Sequence, residues 1–234
     1  MPLSEPPVSA WHGWKRYLFS LLPLGLIVLL ALIGAGRTLN DPDAGPSKGP
    51  REGLGELVAT ARACQTFRAA YDGLARIDVR LDDLGGDASG PFTFALRAAP
   101  DGPDLVTLTH DGADVDSNAY HTFFFDPLPD SAGRRYAFCL TAPQADLDRA
   151  ITAIGTLDDV YPEGEAVLRD MWGQAAGVQD LDFHLGYRLS PWRTLALLVQ
   201  RLAGNKPYLC GVPWFYAALA AAYLALLYVL FTVR

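Results

Sequence analysis

Carboxylates and aromatic side chains occur together in one stretch of the chain, at Asp159, Tyr161, Glu163 and Trp172. Aromatic rings present large apolar faces and carboxylates accept hydrogen bonds, a combination suited to binding sugars. The alternative is that Trp172 belongs to the core and Tyr161 packs against a turn, as amphipathic aromatic residues commonly do. The stretch therefore gives a candidate glycan site made of these four residues.

Motifs for catalysis or metal binding are missing from the sequence. Catalysis requires a nucleophile with a base, a carboxylate pair or a metal cluster. The histidines at positions 12, 110, 121 and 184 stand in no ligand spacing such as H-E-x-x-H, and no G-x-S-x-G or Walker sequence occurs. Asp-rich loops could hold Ca²⁺, but no EF-hand spacing supports such a site. We therefore expect a non-enzymatic protein with no cofactor and no metal.

Two of the three cysteines, Cys64 and Cys139, lie in the segment that we expect outside the cytoplasm, where a disulfide can form. The alternative is two unpaired cysteines that pack as small apolar side chains. Because no C-x-x-C sequence occurs, neither a thioredoxin-type nor a zinc-knuckle site is indicated. The third cysteine, Cys210, lies at the start of an apolar stretch.

Two long uncharged stretches predict membrane anchors, the first at residues 17–36 and the second at 207–233, with 20 and 27 residues. A helix rises about 1.5 Å per residue, so roughly 20 apolar residues cross the hydrocarbon core. The first stretch could instead be a cleaved signal peptide, but its apolar core at 18–33 exceeds the usual length for one. We predict transmembrane helices at 17–36 and within 207–234, the latter with a short cytoplasmic end.

Basic residues orient these anchors, because Lys15 and Arg16 precede the first and Arg234 follows the second. Basic flanks favour the cytoplasm, so residues 1–16 and the C-terminal end are expected there. Residues 37–206 then lie outside, with 16 Lys and Arg against 25 Asp and Glu, a formal charge of −9. Nucleic-acid binding needs clustered Lys and Arg, so this acidic balance excludes it.

Alternation of apolar and charged residues predicts strands that could position the candidate site. Over 75–82, the side chains of Ile77, Val79 and Leu81 share one face and charged side chains the other. Similar runs are separated by Gly, Pro and Asp clusters, which is typical of an antiparallel β-sandwich. We expect a linker at 37–51 and this domain at 52–189. Helical spacing over 54–61 predicts one short helix at its start.

A helix is expected at residues 190–206, between the sandwich and the second anchor. Ser190 is suited to the N-cap and Pro191 to the first helical position. Leu195, Leu198 and Leu202 then fall on one face of the helix. This pattern predicts an amphipathic juxtamembrane helix that lies on the membrane surface, or alternatively a helix packed on the sandwich.

Four runs carry a resemblance to a known family: QTFRAAYDGLARIDV (65–79), YHTFFFDPLPDSAGRRYAF (120–138), DVYPEG (159–164) and DLDF (180–183). Their order resembles the jelly-roll, galactose-binding-like β-sandwich domains of bacterial envelope membrane proteins. Some proteins of that kind are linked to glycosyltransferases and to surface polysaccharide synthesis. The resemblance covers residues 60–190 and implies a jelly roll without catalytic residues, in a protein of a bacterial inner membrane.

Three functions are consistent with these features. The first is an envelope protein that binds carbohydrate or positions a partner in surface polysaccharide synthesis or export. Its expected partners are membrane lipid, a glycan and a membrane protein of the glycosyltransferase type. The second is a structural accessory subunit of a larger membrane complex, because Ala217–Ala222 offers small residues along which helices can approach closely. The third, with the least support, is a membrane-bound hydrolase that uses Asp158, Asp159 and Glu163.

Overall fold

The computed structural model describes Gly25 and residues 39–40, 50–169, 177–204 and 206–232. The chain divides into two compact units. One unit is Thr38–Arg188, here called the β domain. The other consists of Met1–Arg37 and Leu189–Arg234, here called the helical unit.

Twelve strands make up the described part of the β domain. Their bounds are β1 Leu39–Asn40, β2 Arg51–Glu56, β3 Arg62–Arg68, β4 Leu74–Asp82, β5 Pro91–Arg97, β6 Asp104–Asp111, β7 Ala119–Leu128, β8 Arg135–Thr141, β9 Thr152–Thr156, β10 Ala166–Arg169, β11 Asp180–Leu181 and β12 Phe183–Tyr187. A 3₁₀ helix at Gly112–Asp114 follows β6. Because β1 pairs with β12, residues 39–40 belong to a sheet and not to the linker predicted at 37–51.

The strands form two antiparallel sheets. One has seven strands in the order β1-β12-β4-β9-β11, with β2 also paired to β9 and β7 paired to β4. The other has five strands in the order β10-β3-β8-β5-β6. The prediction of a mainly β, sandwich-like domain is confirmed by this arrangement. The helix predicted over 54–61 is wrong, because β2 occupies its first half and pairs with β9.

Aromatic side chains from both sheets form the core. Phe183 of the seven-stranded sheet lies 6.2 Å from Phe67 and 5.6 Å from Phe138 of the five-stranded sheet, measured between ring centroids. Phe94 and Phe123 stack at 4.2 Å across the same interface. All five rings are buried, and full burial of one such side chain contributes about 1.5–3 kcal/mol.

The two cysteines of the β domain are bonded to each other. Cys64 of β3 lies directly opposite Cys139 of β8, with 4.0 Å between their Cα atoms. Both side chains are buried. Of the two alternatives that the sequence left open, the structure has the disulfide.

Helices account for the described part of the helical unit. Helix α1 spans Pro191–Gly204, a 3₁₀ helix spans Tyr208–Gly211 and α2 spans Pro213–Thr232. The predicted N-cap is present, since Ser190 Oγ accepts the Arg193 N–H at 3.4 Å.

Neither predicted membrane anchor gains support from the structure. Among the described residues, no helix combines the length and the apolar character needed to cross a membrane. The first predicted anchor, at 17–36, lies outside the described residues apart from Gly25. The second was predicted from residue 207, whereas α2 begins only at Pro213. Both anchors stay predictions.

Candidate functional site

The four residues of the predicted glycan site have different surroundings. Asp159 and Glu163 are exposed, whereas Tyr161 is only 6% exposed. The Tyr161 ring meets the buried Phe183 ring edge-on at 5.3 Å. Its ring is therefore part of the core and is not an exposed platform for a sugar. Trp172 lies outside the described residues.

Tyr161 and Glu163 do line one cleft, which has a volume of about 520 Å³. Arg68 and Gly133 also line this cleft. The Tyr161 hydroxyl bonds to the backbone of Arg68, donating to the carbonyl and accepting from the N–H, each at 3.2 Å. The glycan site at these residues stays a prediction, with Glu163 as its accessible side chain.

Asp180, a residue that the sequence did not single out, holds the loop that carries Tyr161. Its buried carboxylate accepts the N–H groups of Val160 and Tyr161 at 2.9 and 3.0 Å. The Gln65 amide donates to the other oxygen at 3.1 Å. Burial raises the pKa of the Asp180 carboxyl, and the hydrogen bonds from Tyr161, Val160 and Gln65 oppose that rise. The loop geometry at the cleft thus depends on one buried acid.

A second candidate site lies on the outer face of the seven-stranded sheet. We call it the polar face, and its residues are Arg51, Arg76, Asp78, Arg80, Tyr120, Thr122, Phe124, Asp182 and His184. Strand register creates it, because β4 pairs with β7 so that Arg80, Asp78 and Arg76 stand opposite Tyr120, Thr122 and Phe124. Residues two apart on a strand point to the same side, so these six side chains share a face.

Asp182 is the centre of one half of the polar face, and its side chain is fully buried. Tyr120 donates its hydroxyl proton to Asp182 at 2.6 Å. Arg51 and Arg80 approach the same carboxylate at 2.8 and 3.8 Å. The Arg80 guanidinium also lies 5.4 Å from the Tyr120 ring centroid, and the His184 ring lies 4.4 Å away. Two cations thus offset the buried charge and the hydroxyl bonds to Oδ1, whereas Oδ2 accepts no hydrogen bond from the described residues.

Asp78 is the centre of the other half. Thr122 donates its hydroxyl proton to Asp78 at 2.8 Å, and Arg76 forms an ion pair with it at 3.2 Å. Arg76 also hydrogen-bonds to Asn40 of β1. A Cβ atom at Gly186 would lie only 2.9 Å from Arg76 Nε, so the glycine makes room for the arginine to lie across the sheet.

The polar face presents aromatic surface beside fixed polar groups. Phe124 is 63% exposed and Tyr120 is 36% exposed, on the same side of β7. The arginines supply planar, multidentate donors that are suited to carboxylate and hydroxyl oxygens. Among the described residues, no group of three His, Cys, Asp or Glu side chains is arranged to hold a metal ion. The face thus presents exposed aromatic surface and hydrogen-bonding groups on one side of the sheet.

The alternation of charged and apolar residues over 75–82 was the sequence signal for this face, but it indicates only that the charged side chains point outward. The DLDF run at 180–183 entered the family resemblance, but nothing in it indicated that its two aspartates are buried, because aspartate side chains are mostly exposed. Only the packing shows that Asp180 and Asp182 are both fully buried.

Tyr120 is expected to ionise at an unusually high pH. Burial and the hydrogen bond to Asp182 raise the pKa of Tyr120 from its ordinary value of 10.0 to about 12, and Arg80 opposes the rise. The neutral hydroxyl therefore contributes stability that is complete below pH 10 and is lost as the pH rises towards 12. The ultraviolet difference titration of the wild type against Tyr120→Phe should give a midpoint near 12. A midpoint near 10 would contradict the bond to Asp182.

Comparison with known proteins identifies no family for this chain. No protein-family model matches the chain, and no curated protein matches it. A solved structure of a ruminal GH26 endo-beta-1,4-mannanase is similar at 10% identity, with a TM-score of 0.28. The match covers 67% of this chain and 24% of the mannanase chain. At that level the likeness carries no argument about function, which must be inferred from the residues themselves.

Proposed function

We propose that the chain is a non-enzymatic, membrane-anchored envelope protein whose β domain binds carbohydrate on the polar face. The observation that carries this proposal is the exposed ring of Phe124 on the same face of β7 as Tyr120, together with the fixed groups around Asp78 and Asp182 on that face. An exposed aromatic row on a sheet offers apolar area to the carbon face of a sugar ring. The flanking donors and acceptors then select its hydroxyl groups.

The envelope location rests on three observations. The uncharged stretches at 17–36 and 207–233 support anchoring, and Lys15 and Arg16 support a cytoplasmic N-terminus. The Cys64–Cys139 disulfide supports an oxidising compartment for the β domain, because cytosolic thiols are generally kept reduced. In this arrangement, the polar face is available to surface polysaccharide, or to a partner protein that makes or exports it.

Glycan screening of the full-length protein in mild detergent tests the proposal. Replacing Phe124 by Ala should weaken binding by about tenfold or more, equivalent to about 1.4 kcal/mol. Leu147→Ala is the matched control, because Leu147 is an exposed apolar residue outside the polar face. This variant should bind the glycan as tightly as the wild type does.

Two results would contradict the polar face as the site. If Phe124→Ala binds normally while Glu163→Ala loses binding, the ligand occupies the cleft beside Tyr161. If the folded wild type binds none of a broad set of bacterial polysaccharides, the carbohydrate function itself is wrong.

A structural accessory subunit is the second candidate, because α2 exposes a run of small residues. Ala217, Ala218 and Ala221 are all exposed on this helix, and such residues allow close helix packing within a membrane. Affinity purification in mild detergent should then yield a stoichiometric membrane-protein partner. A monomer without a co-purifying chain would contradict this function.

A further inference from the structure

Two histidines meet where the two sheets come together. His110 lies on β6, an edge strand of the five-stranded sheet, and His121 lies on β7 of the seven-stranded sheet. The distance from His110 Nδ1 to His121 Nε2 is 2.8 Å, and the ring centroids are 4.9 Å apart. One nitrogen of each ring is thus directed at the other ring. Neither residue belongs to the polar face or to the cleft.

Aromatic residues hold both imidazoles in place. Phe123 lies 5.1 Å from each imidazole, and Phe92 lies 5.9 Å from His110 and 5.6 Å from His121, between ring centroids. Both histidines nevertheless keep part of their surface exposed to solvent. The pair is therefore fixed in orientation and still accessible to a small ion.

The hydrogen bonding of His121 selects its tautomer. His121 also bonds to the backbone carbonyl of Asp114. Since Nε2 is directed at His110, this bond is left to the Nδ1–H group, and the Nε2 lone pair points into the space between the rings. A histidine that ligates a metal typically donates its second ring N–H to a carbonyl or carboxylate in this manner.

The charges around the pair also suit a cation. Burial and the neighbouring His110 lower the pKa of His121, whereas the Asp114 and Asp116 carboxylates act in the opposite direction. The two carboxylates contribute negative potential without occupying the facing ring nitrogens.

We propose that His110 Nδ1 and His121 Nε2 bind one divalent transition-metal ion, Zn²⁺ or Cu²⁺. Imidazole nitrogen suits both ions. With metal–nitrogen distances of about 2.0–2.1 Å, tetrahedral ligation places the two nitrogens about 3.3 Å apart, so the rings need to separate only slightly. In the hydrogen bond between the rings His110 Nδ1 carries the proton, so metal binding requires this proton to leave Nδ1, with His110 then protonated on Nε2. Water completes the coordination shell. A bound ion would connect the two sheets and stabilise the β domain by mass action.

Metal titration of the full-length, chelator-stripped protein in mild detergent tests this proposal, with Zn²⁺ and a competing dye. We expect one ion per chain. His110→Asn and His121→Asn should each lower the affinity by at least about tenfold. His184→Asn is the matched control, because this histidine lies on the polar face against Tyr120 and should leave the affinity unchanged.

A second measurement uses only the wild-type protein and so does not require the variants to fold. Electron paramagnetic resonance of the wild type with one equivalent of Cu²⁺ should show hyperfine coupling to two imidazole nitrogens. The proposal is overturned if the folded wild type binds neither ion, or if the double variant His110→Asn/His121→Asn binds as tightly as the wild type. In either case the pair would only be a hydrogen bond between the sheets.

Discussion

Replacing both Cys64 and Cys139 by Ala is expected to lower the free energy of unfolding of the β domain by about 4 kcal/mol. The bond closes a loop of 75 residues, and in the chain-entropy model longer loops give larger effects. It also lies between buried positions of adjacent strands, so the alanines leave a small void. Denaturant unfolding of the full-length protein, followed by near-ultraviolet circular dichroism, would measure the loss.

The third cysteine provides the control for this experiment. Cys210 is exposed and unbonded, so Cys210→Ala should unfold at the same denaturant concentration as the wild type. Reducing agent should reproduce the effect of the double variant in the wild type and have no further effect on the variant itself. A loss below about 1 kcal/mol would show that the disulfide contributes little.

Removal of the buried carboxylate by Asp180→Ala is expected to destabilise the β domain by about 2–5 kcal/mol, because a buried donor left without its acceptor costs about 1–3 kcal/mol. The substitution leaves the N–H groups of Val160 and Tyr161 without their acceptor and removes one of the two acceptors of the Gln65 amide, which keeps its bond to the Thr66 carbonyl. Because these bonds hold the loop at the cleft, proteolysis within residues 157–164 should also accelerate.

Asp159→Ala is the matched control for this change. Asp159 is an acid on the same loop but is exposed, so its replacement should alter stability by less than about 0.5 kcal/mol. Asp180→Asn separates the contribution of the charge from that of the hydrogen bonds, because the asparagine amide keeps one acceptor oxygen. This variant should therefore keep part of the stability that Asp180→Ala loses. Equal stability of Asp180→Ala and Asp159→Ala would contradict the anchoring role.

The β architecture could be predicted from local patterns alone. The period-two run at 75–82 became β4, with Ile77, Val79 and Leu81 buried, because a half-buried strand needs that alternation whatever its partners are. The helix predicted over residues 54–61 was wrong because pairing with a distant strand decided the structure there. Their apolar spacing fits a helix, but pairing of β2 with β9 supplied backbone hydrogen bonds that a short Gly-containing helix could not match.

The candidate sites depended on contacts between distant parts of the chain. Cys64 and Cys139 could be predicted only as one of two alternatives, because sequence separation does not reveal which residues face each other; the β3–β8 register places them opposite. Asp182 gained its partners from Arg51, Arg80 and Tyr120, on three other strands. His110 and His121 met only because their strands lie at neighbouring positions of two different sheets.

The sequence by itself determined the acidic charge, the mainly β character and the strand faces, because these follow from composition and from residues that are neighbours along the chain. Only the tertiary structure decided which acids are buried, which rings remain exposed and which histidines touch. Those properties depend on strand register and sheet packing. A one-residue shift of register would reverse the faces of a strand, so they belong to the assembled domain and not to any one segment.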